Sequence, residues 1–150
     1  MAAAIALARD TTRTGDGGPF GAVVVRDGHI IGRGRNGVTS RNDPTAHAEV
    51  EAIRAACAAI NDFNLHGCEL YTSCEPCPMC LGAAYWAHVD AVYYAADRTD
   101  AAAAGFDDDF IYREIAVAPE QRKLRMSQIL RDRAIDVFDE WRRRENKNMY

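Results

Sequence analysis

At 150 residues, with 48% hydrophobic and 27% charged side chains, the chain has the size and composition of one soluble globular domain. Acidic residues number 22 against 18 basic ones, a formal charge of −4, which argues against a protein whose affinity comes from neutralising nucleic-acid phosphates and favours a small uncharged substrate. No run approaches the roughly 20 apolar residues that cross a bilayer, which speaks against a membrane role.

The first dozen or so residues are alanine-rich and spaced as an amphipathic helix, ending at the breaker cluster Gly15-Asp16-Gly17-Gly18-Pro19. Phe20 to Arg26, with Ala22-Val23-Val24-Val25, reads as a strand. The turn dipeptide Asp27-Gly28 then leads into a second strand at Ile30-Ile31-Gly32-Arg33-Gly34, so the two form a hairpin. Asn36 to Pro44 is polar and glycine-punctuated. Thr45 is expected to cap a helix running to about Asn61, with Val50, Ile53, Ala56, Cys57 and Ile60 as its apolar positions and His47 and Glu49 in its first turn.

Cys68 to Thr72 forms a short third strand, followed by the loop Ser73-Cys74-Glu75-Pro76. A helix then starts at Cys77, with Pro78 in the first turn, where proline is tolerated. Ala91 to Ala96 is a fourth strand. Beyond it a short helix over Thr99–Gly105, a loop with a helical turn over Phe106–Ile115, and a final helix over Arg131–Arg144 with Ile135, Phe138 and Trp141 on one side complete the reading. The alternation of strands and helices predicts a layered α/β domain with partly parallel pairing, no internal repeat and no linker.

The chemistry is concentrated in two short motifs, His47-Ala48-Glu49 and Pro76-Cys77-Pro78-Met79-Cys80. One imidazole and two thiolates offer three soft-to-borderline ligands to a tetrahedral zinc and leave the fourth position for water, the mark of a catalytic site. Glu49 is not needed as a ligand, so its carboxylate serves as acid and base beside that water. Helix N-termini with their amide donors favour thiolate and suit a metal site. Alone, Cys-x-x-Cys is also a redox pair or half a zinc knuckle, and alone His47 and Glu49 read as a helix-start histidine and a dipole-complementing acid. No separate second Cys-x-x-Cys exists to complete a knuckle, since Cys74-Glu75-Pro76-Cys77 shares Cys77, and the combined spacing outweighs these readings. The remaining cysteines, Cys57, Cys68 and Cys74, read as small core residues. An odd count of five, and a start at Met1–Arg9 without a basic region or long apolar run, lead to the expectation of a reducing, cytoplasmic compartment.

The H-x-E and P-C-x-x-C pair resembles the signature of zinc-dependent base deaminases. Four blocks narrow the resemblance: Gly17-Gly18-Pro19-Phe20-Gly21-Ala22-Val23; Asn42-Asp43-Pro44-Thr45-Ala46-His47-Ala48-Glu49-Val50; Tyr71-Thr72-Ser73-Cys74-Glu75-Pro76-Cys77-Pro78-Met79-Cys80-Leu81-Gly82-Ala83; and Ala104-Gly105-Phe106-Asp107-Asp108-Asp109-Phe110-Ile111-Tyr112. They run through most of the chain, and together they resemble the bacterial short-type guanine deaminases of the cytidine-deaminase-like fold. The first and third blocks are shared more loosely with other purine and tRNA deaminases, whereas the fourth is particular to guanine and guanosine deaminases. The stretch from Ala116 to Asp136 matches only weakly.

The resemblance implies a three-layer α/β/α domain with a mixed central sheet over residues 1–150 and one zinc ion per subunit held by His47, Cys77 and Cys80. It implies hydrolysis of guanine to xanthine and ammonia by a zinc-bound water, with Glu49 as proton shuttle. It also implies a homodimer, domain-swapped through the segment from about 130 to 150, which covers the partner's active site. Guanine presents N1–H and the 2-amino group as adjacent donors, so a carboxylate on that edge is well paired, whereas adenine places an acceptor at N1. The family pattern selects Asp108 for this role; composition alone reads three consecutive aspartates as a solvated turn. For substrate binding the resemblance points to Phe20, Asn36, Ala48, Trp86 and Tyr150. The plain alternatives are core packing for Phe20 and Trp86, a turn residue for Asn36 and a frayed terminus for Tyr150. Rival readings are a guanosine deaminase, a deaminase of other aminopurines or aminotriazines, a tRNA adenosine deaminase, which calls for a basic surface this chain lacks, and a zinc module without catalysis.

Overall fold

The structure, a computed structural model, describes residues 1–106 and 108–149. Two compact units make up the chain, Met1–Asp109 and Phe110–Tyr150. In the first, helix α1 (Ala2–Thr14) precedes strands β1 (Gly21–Arg26) and β2 (His29–Arg35), the one-turn helix α2 (Val38–Arg41), helix α3 (Ala48–Ile60), strand β3 (Cys68–Cys74), helix α4 (Pro78–Trp86), strand β4 (Ala91–Ala96) and helix α5 (Arg98–Ala103). The strands form one sheet in the order β2-β1-β3-β4, antiparallel in its first two pairings and parallel between β3 and β4, the mixed sheet expected from the sequence.

The hairpin turns where the dipeptide predicts it. Asp27 and Gly28 both have positive φ, 50° and 75°, the pair that a tight two-residue turn requires and that glycine adopts without strain. The parallel pair needs a crossover, which α4 supplies.

Strand alternation sorts the two faces of the sheet. Ala22, Val24, Cys68 and Leu70 point to one side and form the main core with Ala48, Ala52, Ile53 and Ala56 of α3 and Ala84 of α4. The positions between them face α1, since a Cβ built on Gly21 meets the backbone of Ala4 and Ala8. Helices therefore cover both faces, giving the α/β/α layers. Helix α3 lies unusually close to β2 because Gly32 and Gly34 have no side chain there. A Cβ on Gly34 would lie 1.9 Å from the Ala48 carbonyl oxygen, and one on Gly32 would lie 2.3 Å from that of Ala52.

Two local expectations are corrected. Helix α3 begins at Ala48, with His47 as its N-cap in extended backbone, and not at Thr45. Asp43 captures Thr45 instead: its Oδ1 accepts from the Thr45 amide at 2.8 Å and from the Thr45 hydroxyl at 2.7 Å, closing a turn that keeps 43–46 out of the helix. Cys57 is half-buried, its thiol reaching the Phe63 carbonyl at 3.8 Å, while Cys68 and Cys74 are buried as expected.

The second unit contains helix α6 (Asp109–Ala116), longer than the single turn expected, a 3-10 turn at Pro119–Gln121 and helix α7 (Arg131–Arg143). Inside it the Lys123 amide donates to Glu114 Oε2 at 2.6 Å, and the Lys123 ammonium lies 4.8 Å from the centre of the Phe110 ring. No helix among the described residues is long and apolar enough to cross a membrane.

Candidate active site

In open α/β sheets ligands gather outside the carboxyl ends of the strands. Here β2 ends beside Asn36, β3 ends at Cys74 and β4 ends beside Asp97, while the N-termini of α3 and α4 open toward the same region. A cavity of about 250 Å³ lies there. His47, Glu49 and Cys77 contribute to it from the two helix starts. Gly18, Phe20, Asn36, Val38 and Thr39 line it from the hairpin side. Cys74, Glu75, Ala101, Phe106 and Asp108 complete the lining.

The ligand set is assembled by the two N-caps. Cys77 precedes Pro78, which takes the first helical position of α4, and Cys80 stands one turn on, so both sulfurs face His47. His47 Nδ1 is 3.5 Å from the Sγ of Cys77 and 3.5 Å from the Sγ of Cys80, and all three donor atoms lie within 4.8 Å of one another. A zinc tetrahedron with Zn–S of about 2.3 Å and Zn–N of about 2.1 Å has edges of roughly 3.6 Å. The three side chains therefore fit the ion as they stand. No other cluster of this kind occurs among the described residues.

The electrostatics agree with that use. The Cys80 thiol, donating to Cys77, and the nearby His47 pull Cys77 down to about 4 against the effect of burial, which favours its thiolate form. Cys80 is correspondingly raised, because it keeps the shared proton and is buried. The Cys77 sulfur holds the His47 imidazole above its ordinary value, with burial opposing. Cys74 is different: burial pushes it up to about 11, and it points at the Asp97 carbonyl, 3.5 Å away, as a neutral thiol. Cys74 therefore stands apart from the three donor atoms that could hold an ion.

Glu49, in the first turn of α3, is almost fully buried. Its Oε1 accepts from the Thr72 hydroxyl at 3.1 Å, and its Oε2 lies 3.5 Å from the Cys80 sulfur. Burial raises its carboxyl above the usual carboxylate range. A raised carboxyl one hydrogen bond from the ligand set is poised to take and return a proton.

The remaining predicted residues divide. Phe20 lines the cavity and meets Phe106 edge-on, ring centres 4.9 Å apart. Asn36 is buried beside them, but it does not present both halves of its amide. Its Oδ1 accepts from the Gly18 amide at 3.0 Å and from the Val38 amide at 3.3 Å, so it offers a ligand only its NH2. Asp108 lines the cavity with Oδ1 buried. Ala48 and Trp86 are not among the residues that line the cavity. The Ala48 side chain is fully buried in the core under the sheet, so only its backbone at the start of α3 remains for a ligand. Trp86 closes the far end of α4, six residues beyond Cys80, and is 65% exposed; the helix runs away from the cavity and carries the indole with it. Tyr150 lies outside the described residues. Sequence reading missed Val38, Thr39, Glu75, Ala101 and Phe106 as lining residues. Phe106 had a signal, since it stands in the Ala-Gly-Phe-Asp-Asp block.

Comparison with known proteins places these features in context. The family model of the cytidine and deoxycytidylate deaminase zinc-binding region matches residues 1–96. The chain is 55% identical over 147 residues to guanine deaminase of Bacillus subtilis, covering 98% of this chain and 94% of that protein. The X-ray structure of the Bacillus subtilis protein superposes with a TM-score of 0.95 over the same shares of the two chains. Guanine deaminase of Nitrosomonas europaea is 35% identical, with a TM-score of 0.66 over 79% of this chain and 64% of that one. A tRNA-specific adenosine deaminase of Aquifex aeolicus is 45% identical over 78 residues, 52% of each chain.

Proposed function

The chain belongs to the guanine deaminases, within the cytidine and deoxycytidylate deaminase zinc-binding family, and on that premise we propose that it hydrolyses guanine to xanthine and ammonia. The observation that carries the reading is the His47, Cys77 and Cys80 ligand set with the buried Glu49 carboxyl beside it in one cavity. His47, Cys77 and Cys80 would hold the zinc ion, which would supply a water of lowered pKa as nucleophile at neutral pH.

The chain's own residues do the rest. Glu49 takes a proton from the attacking water and passes it to a ring nitrogen as the carbon–oxygen bond forms; it then takes the remaining proton of the new hydroxyl and delivers it to the amine, so that the carbon–nitrogen bond breaks, ammonia leaves and a carbonyl is left. The Asn36 NH2 donates to an acceptor on the purine edge, O6 or N7. The Asp108 carboxylate faces the donor edge formed by N1–H and the 2-amino group. Phe20 and Phe106 flank the flat ring with apolar surface.

Family resemblance supports a role in purine catabolism for a cytoplasmic homodimer whose segment from about 130 to 150 closes over the partner's site, with both compact units serving one deaminase domain. The deciding experiment is ammonia release from zinc-loaded protein given guanine, guanosine, adenine and cytosine side by side, with Glu49→Ala as blank. Turnover of guanine alone, absent in the variant, is the expected result. Preference for guanosine would move the substrate assignment to the nucleoside, and normal turnover by Glu49→Ala would overturn the mechanism.

A further inference from the structure

Thr72 stands on the β3 face that carries Cys68, Leu70 and Cys74, a row of otherwise apolar or sulfur side chains, and it is fully buried. Valine would fill the same space in a strand core without a polar group to satisfy. The hydroxyl has one visible use, the 3.1 Å hydrogen bond it donates to Glu49 Oε1. It does not line the cavity.

The second side-chain neighbour of Glu49 is the Cys80 thiol, 3.5 Å from Oε2. A cysteine that ligates zinc has lost its proton and cannot donate it to Glu49. Among the described residues, Thr72 is then the remaining side-chain donor to the carboxylate. The last torsion of a glutamate is broad and has no strong preference of its own, so a donor on one oxygen decides where the other points. With Oε1 tied to Thr72, Oε2 is the oxygen aimed at the ligand set.

We infer that Thr72 is a positioning residue for the reaction: its hydroxyl holds one oxygen of Glu49 so that the other faces the proton being transferred. The inference rests on the deaminase reading above, and it assigns Thr72 no contact with substrate or metal.

The test compares Thr72→Val, which keeps the shape and loses the hydroxyl, with Thr72→Ser, which keeps the hydroxyl and loses a methyl. Thr72→Val is expected to lower kcat about 10- to 100-fold with KM changed less than about twofold, the size of effect that misplacing a catalytic group by about an ångström produces. Thr72→Ser is expected to recover kcat to within about threefold of the parent. Zinc content is expected to stay unchanged in both. Melting points supply a readout independent of turnover: the loss caused by Thr72→Val should shrink when Glu49 is already alanine, because the partner is gone. If Thr72→Val does not fold, Thr72→Ala replaces it with the same expectations. Full kcat in Thr72→Val, equal impairment of the valine and serine variants, or strictly additive melting shifts would each overturn the inference. Absence of guanine turnover in the unmodified protein would instead overturn the deaminase reading, so the two failures are distinct.

Discussion

Replacing Gly34 by alanine places a methyl carbon 1.9 Å from the Ala48 carbonyl oxygen and 2.5 Å from the Ala52 amide nitrogen. Both neighbours are backbone, so no rotamer relieves the collision. Ordinary contact begins near 3.4 Å, and helix α3 must therefore recede from β2 by about 1.5 Å at its first turn. Overpacking of this kind costs about 1–3 kcal/mol, which for a chain of this length lowers the melting point by roughly 3–10 °C. Ala48 opens α3 between His47 at the N-cap and Glu49 in the first turn, so the same displacement moves the proposed ligand and the proposed proton carrier together. A misplacement of about 1 Å costs about 100-fold in rate. Steady-state ammonia release and thermal melting of Gly34→Ala should show both losses. Gly32→Ala provides the control, because its collision, 2.3 Å from the Ala52 carbonyl oxygen, lies one turn further along the helix. It should match Gly34→Ala in melting point and lose about tenfold less activity. Equal activity in the two variants, or a Gly34→Ala protein that melts and turns over as the parent does, would refute the argument that glycine spacing sets the position of the ligand helix.

Three further outcomes follow from the site and its surroundings. Removing zinc with a chelator should abolish turnover and lower the melting point, and zinc alone should restore both; activity that survives dialysis to metal-free protein would contradict the ligand assignment. Asp108→Asn should lower kcat/KM for guanine about 10- to 100-fold, since a hydrogen bond to a charged group is exchanged for one to an amide of the same shape, and an unchanged ratio in steady-state kinetics would remove Asp108 from the site. Asp43 and Asp97 are each held below the usual carboxylate range, first by the side-chain hydrogen bonds of Thr45 and Thr99 respectively. Because the folded pKa lies under the unfolded value of about 3.9, their contribution to stability is complete above that pH and is lost as pH falls through the folded value. Protection factors against amide exchange at Thr45 and at the start of α5 should therefore fall only below about pH 4; a fall between pH 5 and 7 would show that these turns depend on something else.

The parts of the fold that were legible in the sequence are those written in local stereochemistry. Asp27-Gly28 reads as a turn, Pro78 as the start of a helix, and the unbroken apolar run Ala22–Val25 as a strand, which the structure buries on both faces. The three residues that could hold a metal were legible for the same reason, since their residue types and spacing at two helix starts leave little other chemistry. What escaped depends on competition or on distance. Thr45 and His47 both sit where an N-cap could be, and only the three-dimensional turn made by Asp43 decides between them. Asp97 and Asp100 form a capping box on α5 that a four-residue pattern contained but that the alanine run obscured. Trp86 stands at the far end of the helix that carries Cys80, outside the cavity lining, which sequence adjacency to Cys80 could not reveal. Asn36 was read as an ambivalent amide, because its hydrogen-bond partners at Gly18 and Val38 come from the far side of the hairpin and from the next helix.

That fixed amide has a consequence for inhibitor chemistry. With Oδ1 committed to two backbone donors, a ligand must place a lone pair opposite Asn36, and a compound that places an N–H there meets a donor it cannot satisfy. Leaving one buried donor unsatisfied costs about 1–3 kcal/mol, or roughly 5- to 150-fold in affinity. Heterocycles that exchange a ring nitrogen acceptor for a carbon–hydrogen or nitrogen–hydrogen group on that edge should therefore bind poorly however well they fill the space between Phe20 and Phe106, whereas added acceptors on the same edge should cost nothing.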